Sequence, residues 1–389
     1  VFALHARAET YARSSSAVYP DLHGVSAIQS VDVVGDGDVL HALIAGTREG
    51  LRQGLFYLRS RDGGLHWEAP VNIGMAADKP LQVRRGNDAR LAVAGNRLLA
   101  VWQEQRDMPG NGPLQSAVSD DGGRTWRIAG YPVKGDSAKN QAYAGLAADS
   151  QGRMHLVWLD DREENGNTSG LRYAVTDNGG QSWQQEQTVD PLVCTCCWNR
   201  IQMLDDQSVA VLYRSAEPHD MKLALRPGAG GQWRKEGAVG RFDWHFAGCP
   251  HNGGGLALTR ADGKTLLHGV VWTGKDEAAG LYYLQSADAG THWSTPQRIG
   301  DALGRDGDIA GTPAGRLGIV FSRIDRGHSL IHFQSSANAG KEWTAPQIIT
   351  AADAIADHPV IVTVAGGFRA FWTERRLDAG KVLGMSVIN

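Results

Sequence analysis

A chain of 389 residues with an ordinary apolar share and a net charge of −3 lacks the basic surface that phosphate binding needs, which excludes nucleic acid as the expected partner. No apolar run approaches the ~18 residues of a membrane span. Glycine is abundant at 49 residues, and the four cysteines are clustered rather than spread as a disulfide framework would be. Because the chain begins at Val1 rather than methionine, a removed leader is expected, and with it a periplasmic or secreted protein.

Taken in order, the chain repeats one plan. A short strand meets a turn, and a strongly apolar second strand follows, often ending on an aromatic residue. A third strand then runs into the phrase Ser-x-Asp-x-Gly-x-x-Trp, and a fourth leaves it. The phrase begins at Ser60, Ser119, Thr176, Ser286 and Ser336, with Asp62, Asp121, Asn178, Asp288 and Asn338 at its third position. A worn copy ends at Trp233, and the six tryptophans lie 59, 57, 50, 60 and 50 residues apart. Such a period is the mark of a repeat architecture and overrides the prior for two domains.

Turns before the second strand recur seven times: Gly35-Asp36-Gly37, Gly95-Asn96, Gln151-Gly152, Asp205-Asp206, Asp262-Gly263, Ala314-Gly315 and Gly366-Gly367. Glycine, Asn and Asp tolerate the positive φ of hairpin turns. Second strands are predicted at 97–102, 154–158, 208–213, 266–272, 316–321 and 368–372. Four short strands per unit without an amphipathic helix predict an all-β chain, a single β-propeller domain over residues 1–389 with four-stranded antiparallel blades. Seven turns against six phrases favour seven blades, with residues 1–19 supplying the outer strand missing from the last. A six-bladed ring with a terminal extension is the alternative.

With five well-formed phrases over nearly its whole length, the chain resembles the sialidase-like family of Asp-box, or BNR-repeat, propellers. The resemblance implies the fold and not an activity, because boxes occur in hydrolases and non-enzymes alike. Within the box, the Asp is expected to accept backbone N–H bonds and the Trp to pack between blades. Asn at 178 and 338 would keep the turn without the charge, so all five are read as structural.

Antiparallel strands put the box turns and the one-to-two turns on one face. The two-to-three loops and four-to-one connections share the other, where function is expected. An acid-and-arginine tail follows several second strands there, at Glu104 and Arg106, Asp160, Asp161 and Arg162, Arg323, Asp325 and Arg326, and Glu374, Arg375 and Arg376. It reads as inter-blade salt bridges. All four cysteines are expected on the same face, Cys194, Cys196 and Cys197 opening the first strand of the fourth unit and Cys249 that of the fifth. Cys194 and Cys249 lie one repeat apart, with His245 and His251 beside Cys249 and His219 in a nearby loop. Strand alternation would put Cys194 and Cys196 on one side and Cys197 on the other.

Two thiolates with Cys249 and a histidine would suit copper, or alternatively zinc. Structural disulfides and a cycling redox thiol pair are the other readings. The leading expectation is a Cys/His metal site of Cys194, Cys196, Cys197, Cys249, His245 and His251, used in metal handling or metal-dependent redox chemistry. The phrase Cys-x-Cys-Cys, followed by Gly-Cys-Pro-x-Asn-Gly one unit later, also resembles a bacterial subgroup of sialidase-like proteins.

The family's hydrolases, by the same resemblance, bind a carboxylate with three arginines and use a Tyr/Glu nucleophile and an Asp acid/base. The first unit here opens Gly24-Val-Ser-Ala-Ile-Gln-Ser, without the family's arginine motif, so sialidase activity is not expected. Arg84, Arg200, Tyr213 and Arg305 remain the substrate-binding candidates. The alternative function is a glycoside hydrolase or glycan-binding propeller whose cysteines only brace the fold, with a glycan or another small molecule as ligand.

Overall fold

The computed structural model describes residues 12–13, 16–74, 80–106, 110–133, 140–161, 168–228, 230–261, 263–325, 327–377 and 379–389. Asp262, Arg162, Arg326 and most of residues 1–15, all named above, lie outside them. Among the described residues every regular element is a strand.

Five of the sheets are simple four-stranded antiparallel units, and a sixth, larger sheet divides into two more joined by one parallel bridge, Ser329 to Ile355. The innermost strands, one per unit, are Ser26–Asp36, Arg90–Ala94, Gln141–Ala148, Arg200–Met203, Gly255–Ala261, Gly304–Gly311 and Ile355–Val364. Each touches the next, and the seventh touches the first, so the units close into a β-propeller around a central funnel. Units are numbered one to seven in that order below. The seventh takes its outer strand from Ala17–Val18, which pairs antiparallel with Gly380–Ile388 through Ala17 to Ser386 and Val18 to Met385.

Seven apolar clusters fill the wedges between neighbouring units, including the wedge between seven and one, where Ile28, Phe56 and Trp67 meet Phe371 and Met385. The second strands supply the largest share, with Trp102, Trp158, Phe321 and Trp372 almost wholly buried. Each such side chain contributes about 2–3 kcal/mol through its burial. Binary patterning alone would leave one face of a blade in water. Here both faces of the middle strands are covered, which is why the strand Val209–Arg214 is apolar without a break from Val209 to Tyr213.

The box is a hydrogen-bonded knot between third and fourth strands. Ser60 Oγ donates to Asp62 Oδ1 at 2.8 Å, Gly64 N–H donates to Ser60 Oγ at 2.8 Å, and His66 N–H donates to Asp62 Oδ1 at 2.9 Å. Asn178 repeats the pattern with Thr176 Oγ1 and Ser182 N–H, and Asn338 with Ser336 Oγ and Glu342 N–H. Trp126, Trp233 and Trp343 each lie against a tyrosine of the preceding unit, Tyr57, Tyr173 and Tyr283. The box also bonds the one-to-two turn on its own face, Gly63 N–H to the Asp38 carbonyl and Gly122 N–H to that of Asn96. The opposite face is left to the long connections.

Candidate functional site

On that opposite face the inner strands begin with a repeated irregularity. Ala27, Gly86, Tyr143, His251, Asp306 and His358 all have φ between 46° and 79°. At Ala27, Tyr143, Asp306 and His358 the ladder to the second strand shifts register. A bulge with one left-handed residue turns the chain and re-aims that side chain. Six of the seven units thus present a residue in the same backbone state at the funnel mouth, and Trp198 stands in the remaining one.

Arg85 plugs this mouth. Its guanidinium crosses from unit two to Asp306 Oδ1 of unit six at 2.5 Å and to the His251 carbonyl at 2.9 Å, and it lies 5.8 Å from the Trp198 ring centroid. Asp306 is held from behind by Ser322 Oγ at 2.9 Å. Beneath the plug lies a cavity of about 30 Å³ lined by Asp88, Arg90, Arg200, Asp306 and His358, room for about one water. Both His358 ring nitrogens are buried without a protein partner, and burial holds its imidazole below the ordinary histidine range. The neutral ring therefore faces a water-sized polar space.

The arginine candidates are mostly engaged. Arg200 pairs with Asp308 at 2.9 Å. Arg84 donates to the Tyr143 hydroxyl at 3.3 Å and lies over its ring. Tyr213 does not reach the funnel: it is fully buried between units three and four, where its hydroxyl donates to Asp190 Oδ2 at 2.8 Å. Its place on a second strand, away from the inner one, is the reason. Arg305 alone of the four borders a large cavity.

That cavity, about 910 Å³, lies off the funnel axis between the connection into unit five, a loop of unit five and the start of unit six. Its wall holds Trp244, Phe246 and Trp272; Trp244 stacks on Phe246 at 5.3 Å and meets Trp272 edge-on at 5.3 Å. Arg305, Lys275, Asp276, Glu277 and His245 supply its polar edge. These aromatic residues were not singled out from the sequence. The usable signal was the alternation of Phe242, Trp244 and Phe246 within one connection, 241–249, more large rings than a link between strands needs.

The cysteines gather at the neighbouring connections, but not as spacing suggested. Cys196 and Cys249 form a disulfide with a Cα separation of 6.2 Å. Cys194 ends the outer strand Gln187–Cys194 of unit three rather than opening unit four. The chain turns at Thr195 and Cys196, so strand alternation does not apply. Cys194 Sγ consequently sits 3.3 Å from Cys197 Sγ and 3.7 Å from Cys196 Sγ. Burial opposes a Cys197 thiolate, yet the Cys194 thiol and the Arg214 guanidinium outweigh it and bring Cys197 down to about 7. The same pairing, with burial, pushes the Cys194 thiol up.

His245 is not beside the sulfurs: its ring bonds Glu217 and, at 3.1 Å, Asp243, and the Glu217 carboxylate raises its pKa. His251 does lie with Cys196 and Cys249, its Nδ1 3.0 Å from the Cys249 carbonyl. With Cys196 and Cys249 joined to each other, the expected metal set is not assembled in this form, because a disulfide sulfur carries no thiolate charge. The acid-and-arginine tail is bridged in part: Arg323 pairs with Asp301 at 2.8 Å and with Asp325 at 3.2 Å. Asp160 and Glu374 accept from the indoles of Trp158 and Trp372, two residues back on the same strand, at 3.1 and 3.0 Å.

No protein-family model matches the chain, and no curated protein is similar to it in sequence. Solved structures are similar in fold across nearly its whole length. An ulvan lyase, described as a polysaccharide lyase bound to a glucuronic acid–sulfated rhamnose chain, gives a TM-score of 0.60 at 12% identity over 94% of both chains. A protein of unknown function from Dyadobacter fermentans gives 0.53 at 13%, covering 96% of this chain and 98% of that one. A mutant of the NanB sialidase from Streptococcus pneumoniae gives 0.50 at 10%, covering 96% and 93%. At such identities the likeness is one of fold.

Proposed function

We propose that the protein binds an acidic glycan in the cavity above unit five. The observation that carries this reading is the cavity itself: about 910 Å³, with aromatic rings on one wall and Arg305 on the funnel side. Aromatic faces accept the apolar face of a pyranose ring, and a guanidinium matches a carboxylate or sulfate with two parallel bonds. Phe246 is 43% exposed and needs a partner more than any other ring in the wall. Support from the fold is of the coarser kind. An ulvan lyase bound to a glycan with uronic acid and sulfate groups and a sialidase both share the architecture.

Isothermal titration with uronic-acid or sulfated oligosaccharides, beside neutral ones of equal length, tests the proposal. Binding should favour the acidic set. Arg305→Gln should weaken it about 10- to 100-fold, the worth of a charge-assisted bond, and leave neutral binding unchanged. Phe246→Ala should weaken both. Equal affinity for acidic and neutral sugars, or an Arg305→Gln variant that binds as the parent does, would count against it.

A further inference from the structure

The four sulfurs form a chain that runs from the interior to the surface. Cys194 and Cys197 are buried and reduced, Cys196 is buried and oxidised, and its partner Cys249 is exposed. Cys249 borders two cavities: the large one above, and a second of about 470 Å³ lined by Cys194, Thr195, Ala216, His219 and Phe246. A brace between two connections requires only the disulfide. It does not account for two further thiols at 3.3 and 3.7 Å, or for all four cysteines of the chain lying in one cluster. Cys194 and Cys197 also have the Cys-x-x-Cys spacing of pairs that close and open reversibly.

We infer that the cluster is a thiol–disulfide relay, in which the buried pair Cys194/Cys197 holds two electrons and the exposed Cys249 delivers them to the disulfide of a partner protein or peptide. In the first step the Cys197 thiolate, 3.3 Å from Cys194 Sγ, takes the Cys194 proton as Cys194 Sγ attacks Cys196 Sγ. The Cys194–Cys196 bond forms, the Cys196–Cys249 bond breaks, and Cys249 leaves as a thiolate. Next Cys197 attacks Cys194 Sγ, releasing Cys196 as a thiolate, while the Cys197 proton passes to Cys249. One disulfide has replaced another, and no electron has entered or left.

Cys249, now free at the surface, attacks the partner's disulfide as a thiolate after losing its proton to solvent. The Cys196 thiolate then resolves the mixed disulfide. That step restores Cys196–Cys249 and leaves the partner with two thiols once it takes protons from solvent. The chain then carries two disulfides and is recharged by a dithiol reductant. A thiol flanking a disulfide at van der Waals distance is the arrangement such exchange needs. The relay is independent of the glycan reading, since it uses none of the cavity's aromatic or charged groups.

The test begins with protein equilibrated against glutathione of graded redox poise, acid-quenched, alkylated and mapped without reduction by mass spectrometry. At intermediate poise Cys194–Cys197 or Cys194–Cys196 should appear beside Cys196–Cys249, with Cys249 alkylated in the same molecules. Two-electron-reduced protein, holding Cys196–Cys249 and two thiols, should then reduce one equivalent of a self-quenched fluorescent disulfide peptide. Cys249→Ser should slow that reaction at least 100-fold. Cys194→Ser, prepared with Cys196–Cys249 closed and checked for an unchanged melting curve, should reduce none. Recovery of Cys196–Cys249 alone at every poise, with no peptide reduced, would overturn the relay. So would a protein isolated with all four thiols reduced around one equivalent of copper(I) or zinc.

Discussion

His268 sits at the centre of a small recurring device. Its Nδ1 bonds the Tyr283 hydroxyl at 2.8 Å and its Nε2 bonds Thr259 at 2.7 Å. His41 with Tyr57 and His155 with Tyr173 repeat the first of these bonds in units one and three, at 2.7 and 2.8 Å. Burial lowers the pKa of His268 from 6.5 to about 4, and His41 and His332 are brought to about 4 by the same cause. In the unfolded chain these rings take a proton near 6.5, and in the folded one only near 4. The unfolded state therefore binds more protons in between, so stability is full above about pH 6.5 and falls as pH drops toward 4. Each ring contributes up to about 3 kcal/mol to that fall. Thermal melts from pH 7.5 to 4.5 should show a steadily lower Tm, and His268→Gln, which retains a polar partner for Tyr283, should flatten the slope.

The same scale shows what was legible in the residues and what was not. The structural role of Asn178 and Asn338 follows from chemistry alone, since an amide oxygen accepts the two bonds a carboxylate would. The cysteine pairing did not follow. Spacing matched Cys194 with Cys249, whereas the turn at Thr195 and Cys196 hands the bond to Cys196. A two-residue change of partner lies below the resolution of a 55-residue period.

Among the elements, the box turn is the most constrained. Gly123 has φ of 87°, and a Cβ there would stand 2.0 Å from the Tyr57 ring of the preceding unit. Gly123→Ala should therefore cost about 2 kcal/mol or more, from the left-handed backbone and the clash together. A denaturant titration would read this as a lower midpoint at unchanged slope. Strand identity and order were readable from turn residues and apolar runs, because those depend on neighbours in sequence. The bulges at the inner-strand starts were not, since Ala27 and Tyr143 have no preference for positive φ and a lone Asp306 or His358 is too weak a signal; the surrounding ring fixes them there. Tyr213 was misplaced for a related reason: an aromatic residue beside an arginine reads as a site until the neighbouring blade covers it.

At the scale of the molecule, closure rests on a short element. Ala17–Val18 covers the outer edge of unit seven, Ser16 Oγ bonds Ser386 Oγ, and Tyr19 donates to Glu374 at 2.8 Å while Arg376 lies over its ring. These contacts join segments more than 350 residues apart. An uncovered outer strand exposes a row of backbone donors and acceptors. Deleting residues 1–19 should thus lower Tm by several degrees and promote self-association, measurable by light scattering beside the melt. The repeat period announced a ring; which strand seals it was foreseeable only from the missing fourth strand of the last unit.

The left-handed residues around the funnel mouth have one more consequence. At Ala27, Tyr143, Asp306 and His358 that conformation goes with a register shift of the inner strand, so the side chain there can change while the backbone stays as it is. The mouth is in effect a socket set in which Ala27 is the blank. Asn and Asp enter this backbone region more readily than alanine does. Ala27→Asn should consequently fold with a Tm within about 2 °C of the parent and place a new polar group at the rim. A ring built this way can acquire a different ligand by exchanging single residues, without moving a strand.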